Sequence, residues 1–184
     1  MSGQGYKKIE KFFRERGGLY TALKVIYTVL PTIVFAAYPV LLVYLFINAW
    51  TGNIGCAVFY KALIIPAFTL VTVSLVRKLI NAPRPYEKYD TNPLIKKDKK
   101  GHSFPSRHSA SVFIIAAAFL YVCLPLGILF FCIGIIMCLS RVLAGVHFIK
   151  DVVAGAAYAL LCGMMFSVPN EILTALLKGV GLYF

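Results

Sequence analysis

Along most of this chain the apolar residues form unbroken runs rather than an alternating pattern or a single helical stripe. A helix crosses the hydrocarbon of a bilayer with roughly 20 apolar residues, and five stretches approach or exceed that length. Residues 25–50 carry Pro31 and Pro39, and are longer than one crossing needs yet too short for two full helices. They are expected to cross once, tilted or kinked. Residues 54–76 are broken only by Lys61, close enough to the start for its stem to carry the ammonium to the interface. Residues 109–124, 126–143 and 152–168 complete the set, with Pro125 and Gly127 marking a turn. The pattern predicts one all-α domain, a polytopic transmembrane helical bundle of about five spans.

The flanks have a different character. Residues 1–24 hold Lys7, Lys8, Lys11, Arg14, Arg16 and Lys24 against Glu10 and Glu15. Ile9, Phe12 and Phe13 recur among these cations at helical spacing, as in a short helix lying on an anionic lipid surface. The segment lacks the early apolar core and small-residue cleavage site of a signal peptide. Residues 169–184 (Ile172, Leu173, Leu176, Leu177, Val180) read as a second amphipathic interfacial helix.

Composition narrows the class. The 184 residues are 60% hydrophobic and 14% charged, well below the roughly 25% charged of a soluble domain. Nineteen Lys and Arg nevertheless outnumber seven Asp and Glu, for a net charge of +12. This excludes a disordered chain, a secreted disulfide scaffold and a soluble nucleic-acid binder. The five cysteines lie inside apolar runs without metal-ligand spacing, and are expected to be small buried hydrophobes.

The charge is concentrated in residues 77–107, where nine Lys and Arg face Glu87, Asp90 and Asp98. With five spans, this loop, the amino terminus and the 144–151 connection share one membrane face. The excess of cations points that face to the cytoplasm, although cations kept for chemistry bias such a count.

Three clusters fall at the same depth on that face. Arg77, Lys78, Arg84 and Pro85 end the second span; Pro105, Ser106, Arg107, His108 and Ser109 open the third. Ser140, Arg141, His147, Lys150 and Asp151 bridge the fourth and fifth. Ionisable residues at membrane depth are costly unless they pair or face a wet cavity, so their convergence is read as functional. Arginine forks suit phosphate oxygens taken two at a time. Ser106 adds a hydroxyl at a helix start, where free backbone N–H groups favour an anion. Together they describe a pocket for a tetrahedral dianion, with Arg77, Lys78, Arg84, Ser106, Arg107 and Arg141 as its candidate phosphate ligands. His147 and Asp151, four apart on a helix, share a face. The carboxylate can hold one ring nitrogen while the other attacks phosphorus, and His108 can protonate the leaving oxygen. His102, just outside the second cluster, reads as a loop residue.

At these residues the chain resembles the type 2 phosphatidic acid phosphatase superfamily, whose pattern is K-x6-R-P, then P-S-G-H, then S-R-x5-H-x3-D. Arg84-Pro85, then Pro105, Ser106 and His108, then Ser140, Arg141, His147 and Asp151 match it. The resemblance implies a metal-independent phosphatase of a lipid phosphate or diphosphate in a bacterial plasma membrane. In it His147 is the nucleophile, Asp151 its orienting partner and His108 the acid, while Arg84, Ser106 and Arg141 bind phosphate. Two departures stand out: Arg77 replaces the family lysine, with Lys78 beside it, and Arg107 replaces the family glycine. The usual membrane members have six spans, so either residues 25–50 conceal a hairpin or this chain lacks one helix. Two other readings are a catalytically silent binder of phosphorylated lipids and a vanadate-dependent oxidase. The binder has no need of His147 paired with Asp151, and the oxidase relatives are soluble.

Overall fold

The computed structural model describes residues 2–96 and 100–182. Lys97, Asp98 and Lys99 of the basic loop, and the last two residues of the carboxyl-terminal segment, lie outside the described residues. All the regular elements described are helical: α1 (Gly3–Arg14), α2 (Gly17–Trp50), α3 (Cys56–Ile80), α4 (Pro85–Tyr89), α5 (Arg107–Val122), α6 (Leu124–Leu143), α7 (Ile149–Gly163), a 3-10 turn (Met164–Ser167) and α8 (Asn170–Gly179).

Among the described residues, four helical stretches are long and apolar enough to cross a membrane: α2, α3, α6, and α7 with its 3-10 turn. Their outer faces stay apolar, with Leu79 at 84% exposure, as a lipid-facing wall requires. The protein is an integral, multi-pass membrane protein. No hairpin interrupts residues 25–50. They belong to α2, a single helix of 34 residues that contains both prolines and starts eight residues earlier, inside the expected basic interfacial segment.

The remaining expected span is α5, only 16 residues long. Its RHSASVFIIAAAFLYV sequence offers small or apolar surface on every side, the pattern of a helix enclosed by others. Packed by α2, α3, α6 and α7, it forms the centre of the bundle. Phe119 stacks on Phe130 of α6 with ring centroids 4.2 Å apart, and Phe113 meets Phe131 edge-on at 4.9 Å.

Lys61 departs from expectation. It is 4% exposed, and its ammonium donates to the carbonyls of Phe166 (3.4 Å) and Val168. A buried ammonium needs acceptors, and the end of the 3-10 turn supplies them before the stem can reach water. The same turn leads into α8, which packs on α3 through buried Leu177 and leaves Ile172, Leu176 and Val180 exposed. Cys132, expected to be buried, is exposed on α6.

α7 meets α5 at Gly155, where an added Cβ falls 2.4 Å from the carbonyl oxygen of Ser106. Only glycine permits this approach, which sets the middle of α7 against the N-cap of α5. Gly155→Val is expected to lower stability by about 1–3 kcal/mol through overpacking. Gly179→Ala, with nothing within 4 Å, is expected to leave it unchanged; thermal unfolding in detergent compares the two.

Candidate active site

The connection from α6 to α7 is wound around one residue. The backbone N–H groups of Val146 and His147 both donate to the carbonyl of Arg141, at 3.2 and 3.3 Å. This brings His147, buried, against the first turn of α7. Asp151 there is also fully buried, and its Oδ2 accepts from the backbone N–H of Phe148 at 3.0 Å, capping the helix. The same oxygen lies 3.5 Å from His147 Nδ1. Ser103 completes the group: its hydroxyl donates to Asp151 Oδ2 and lies 3.4 Å from His147 Nδ1. With Nδ1 engaged, Nε2 is the nitrogen left for chemistry. Burial drives the pKa of His147 below its ordinary 6.5; the Asp151 contact opposes this, and the nearby Arg84 and Arg77 guanidinium groups reinforce it. A neutral ring is favoured.

Beside this pair a cavity of about 270 Å³ is lined by Ser74, Arg77, Lys78, Arg84, Lys100, Gly101, His102 and Arg107. Every ionisable side chain among these is a base. The cavity is built where α3 ends on Asn81, whose left-handed conformation (φ 43°) turns the chain away from the helix. Asn81 Oδ1 then accepts from the N–H of His102 at 3.2 Å, and His102 Nδ1 lies 3.2 Å from the carbonyl of Arg77. Gly101 has φ +65°, and a Cβ on it would fall 2.3 Å from Asn81 Oδ1, so the loop closes only with glycine.

Arg84 is 5% exposed and is held from two sides. Its Nε donates to the carbonyl of Gly101 at 3.1 Å. The Glu87 carboxylate accepts from the Arg84 N–H at 2.8 Å and from the Gly101 N–H at 2.9 and 3.0 Å.

The third wall is the start of α5. Ser106 is the N-cap; its hydroxyl oxygen accepts from the Ser109 N–H at 3.4 Å, and its own N–H donates to the Asp151 carbonyl at 2.8 Å. His108 is the second residue of the helix and half-buried, while Arg107, the first, is exposed and lines the cavity. Arg141 is buried behind, its guanidinium 3.7 Å from the Tyr27 ring centroid and 3.5 Å from the Tyr27 carbonyl. Its Nε and Asp151 Oδ1 have no hydrogen-bond partner among the described residues. No group of three or more metal-ligating side chains occurs among the described residues.

The three clusters therefore share one end of the bundle, in a constellation of buried histidine, carboxylate and converging arginines. Residues 54–171 match the PAP2 superfamily.

The chain belongs to the PAP2 superfamily.

No curated protein matches it. The crystal structure of LpxE from Aquifex aeolicus is similar, with 27% identity, a TM-score of 0.64, and coverage of 79% of this chain and 85% of that one. A transmembrane PAP2-type phosphatidylglycerolphosphate phosphatase from Bacillus subtilis is 20% identical with a TM-score of 0.45, covering 89% of this chain and 90% of that one.

As a PAP2 chain it departs from the superfamily pattern at two positions, and both face the cavity. Arg77 and Lys78 line it together, Arg77 half-buried and acting on His147, Lys78 exposed. Arg107, in place of the glycine, adds a cation to the rim. Of the expected phosphate ligands, Ser106 and Arg141 lie behind the lining, and His102, read as a loop residue, belongs to it. Sequence reasoning missed Ser103, Glu87 and Tyr27. Glu87 had a signal, three residues after Arg84 and two after a helix-starting proline; the other two had none. Glu87→Ala is expected to weaken orthovanadate binding about tenfold, by freeing a loop held through a charged acceptor; calorimetry on the detergent-solubilised protein reads it.

Proposed function

We propose that this membrane lipid phosphatase cleaves a phosphomonoester or diphosphate of a lipid through a phosphohistidine intermediate. The observation that carries the reading is the His147–Asp151 contact at 3.5 Å, beside a cavity whose ionisable lining, among the described residues, is entirely basic. His147 Nε2 attacks phosphorus as the bond to the leaving oxygen breaks, and His108 protonates that oxygen. Asp151 holds the Nδ1 proton and stabilises the positive ring as the N–P bond forms. Water then attacks the phosphohistidine with His108 as base, releasing inorganic phosphate and regenerating both imidazoles. Arg84, Arg77, Arg107 and Lys78 hold the phosphoryl oxygens, supported from behind by Arg141 and the α5 terminus at Ser106. None of these steps calls for a metal or other cofactor.

A lipid substrate is supported by the outer surface of α3. Ser74, Arg77 and Lys78 line the cavity, while Leu75, Val76, Leu79 and Ile80, interleaved with them, are exposed and apolar. Acyl or prenyl tails lie against that wall while the headgroup enters the cations. Polyprenyl diphosphate, phosphatidic acid and phosphatidylglycerol phosphate all fit. The exposed Lys7, Lys8, Lys11 and Arg14 of α1 favour an anionic bilayer, as in a bacterial plasma membrane.

The purified protein, assayed with those three lipids side by side and chelator present, is expected to release phosphate and to be inhibited by vanadate. His147→Ala is expected to lower kcat at least roughly thousandfold while lipid still binds; a silent binder would have no activity to lose. The pH dependence follows from the two imidazoles. His147 attacks unprotonated, and its pKa lies below 6.5, so kcat/KM holds below that pH and falls only as protons reach the lowered value. His108 must be protonated to act as acid, which sets the alkaline limb. A bell with its optimum between roughly pH 5 and 8 is expected, and a profile flat from about pH 5 to 9 would contradict the scheme.

A further inference from the structure

The match to the PAP2 superfamily begins at residue 54, and α1 lies wholly before it, yet α1 reaches the candidate site. Tyr6 is its one buried residue, 3% exposed. The Tyr6 hydroxyl donates to the backbone carbonyl of His147 at 3.2 Å. Its ring meets Phe148 edge-on at 6.1 Å between centroids and lies 6.1 Å from Tyr89; Tyr89 and Phe148 are themselves 6.0 Å apart. The three rings close a triangle. One corner is α1, one is the residue after His147, and one is the last residue of α4, the helix that Arg84 caps. The amino-terminal helix thus ties the histidine connection to the segment that carries the buried arginine.

We propose that Tyr6 is a positioning residue for His147, acting through the His147 carbonyl, and that α1 thereby belongs to the catalytic apparatus. This rests on the phosphohistidine reading above. In-line attack needs Nε2 held near phosphorus to within a fraction of an ångström. Asp151 and Ser103 fix the ring, whereas the hydroxyl of Tyr6 fixes the main chain on which the ring is hung. The donor is permanent over the working range: burial above all, with the nearby Asp151 and Tyr89, pushes the pKa of Tyr6 up to about 12, so its proton stays.

The test uses the full-length protein in detergent, with whichever of the three lipids it turns over fastest. Tyr6→Phe keeps the ring triangle and removes only the hydroxyl. It is expected to lower kcat roughly tenfold with KM within about twofold and an unchanged thermal midpoint. Tyr6→Ala, which removes the ring as well, is expected to lower kcat further. Gln4→Ala, exposed on the same helix, is expected to match the parent. A Tyr6→Phe variant with parental kcat overturns the proposal, and so does one in which kcat, KM and the midpoint move together as in general loosening. The two readings fail differently. An inactive parent, or a His147→Ala variant as active as the parent, sinks the phosphohistidine scheme and this inference with it. An active parent, an inactive His147→Ala and an unimpaired Tyr6→Phe sink this inference alone.

Discussion

A carboxylate cut off from water among apolar helices stays ionised only where donors converge on it. At Asp151 three come from three places: the backbone of Phe148, the hydroxyl of Ser103 and the ring of His147. Meeting that demand fixes much of the bundle's working end. Phe148 has to enter α7 as its cap, Ser103 has to fold back from the basic loop, and His147 has to present Nδ1 rather than Nε2. The Ser106 N–H, bonded to the Asp151 carbonyl, ties the start of α5 to the same residue. One buried acid thus fixes where a loop, a connection and two helix starts lie.

The cavity poses the opposite problem, since its cations repel one another with no anion among the described lining residues. The structure answers with backbone and carboxylate anchors outside the lining. Glu87 grips the main chain of Arg84 and Gly101, and Tyr27 offers Arg141 both a ring face and a carbonyl. Arg84 and Arg141 are thereby buried in a fixed frame, while Lys78 and Arg107 stay exposed at its edge. Such a frame gains most when a multiply charged anion enters, because each contact is already oriented.

The spans and the three clusters could be read from the sequence because their signals are local: apolar runs of membrane length, and a His-x3-Asp spacing that one helical turn brings together. The exceptions share a physical cause. The start of α2 at Gly17 was hidden because cations and paired glycines there resemble a tail, whereas the helix continues because its far end is anchored in the bundle. Lys61 looked free to reach water because the acceptors that hold it are about a hundred residues away in sequence. Ser103, Tyr27 and Tyr6 leave no pattern for the same reason: their partners are met only after folding, in Tyr6's case across 141 positions.

The shortness of α5 has a further consequence. α5 and α6 are joined at Cys123 and have 16 and 20 residues, about 24 and 30 Å at 1.5 Å per residue. α5 alone falls short of a hydrocarbon core of roughly 30 Å, so its polar first turn, with Arg107 at the cavity's edge, is carried there by the longer helices that enclose it.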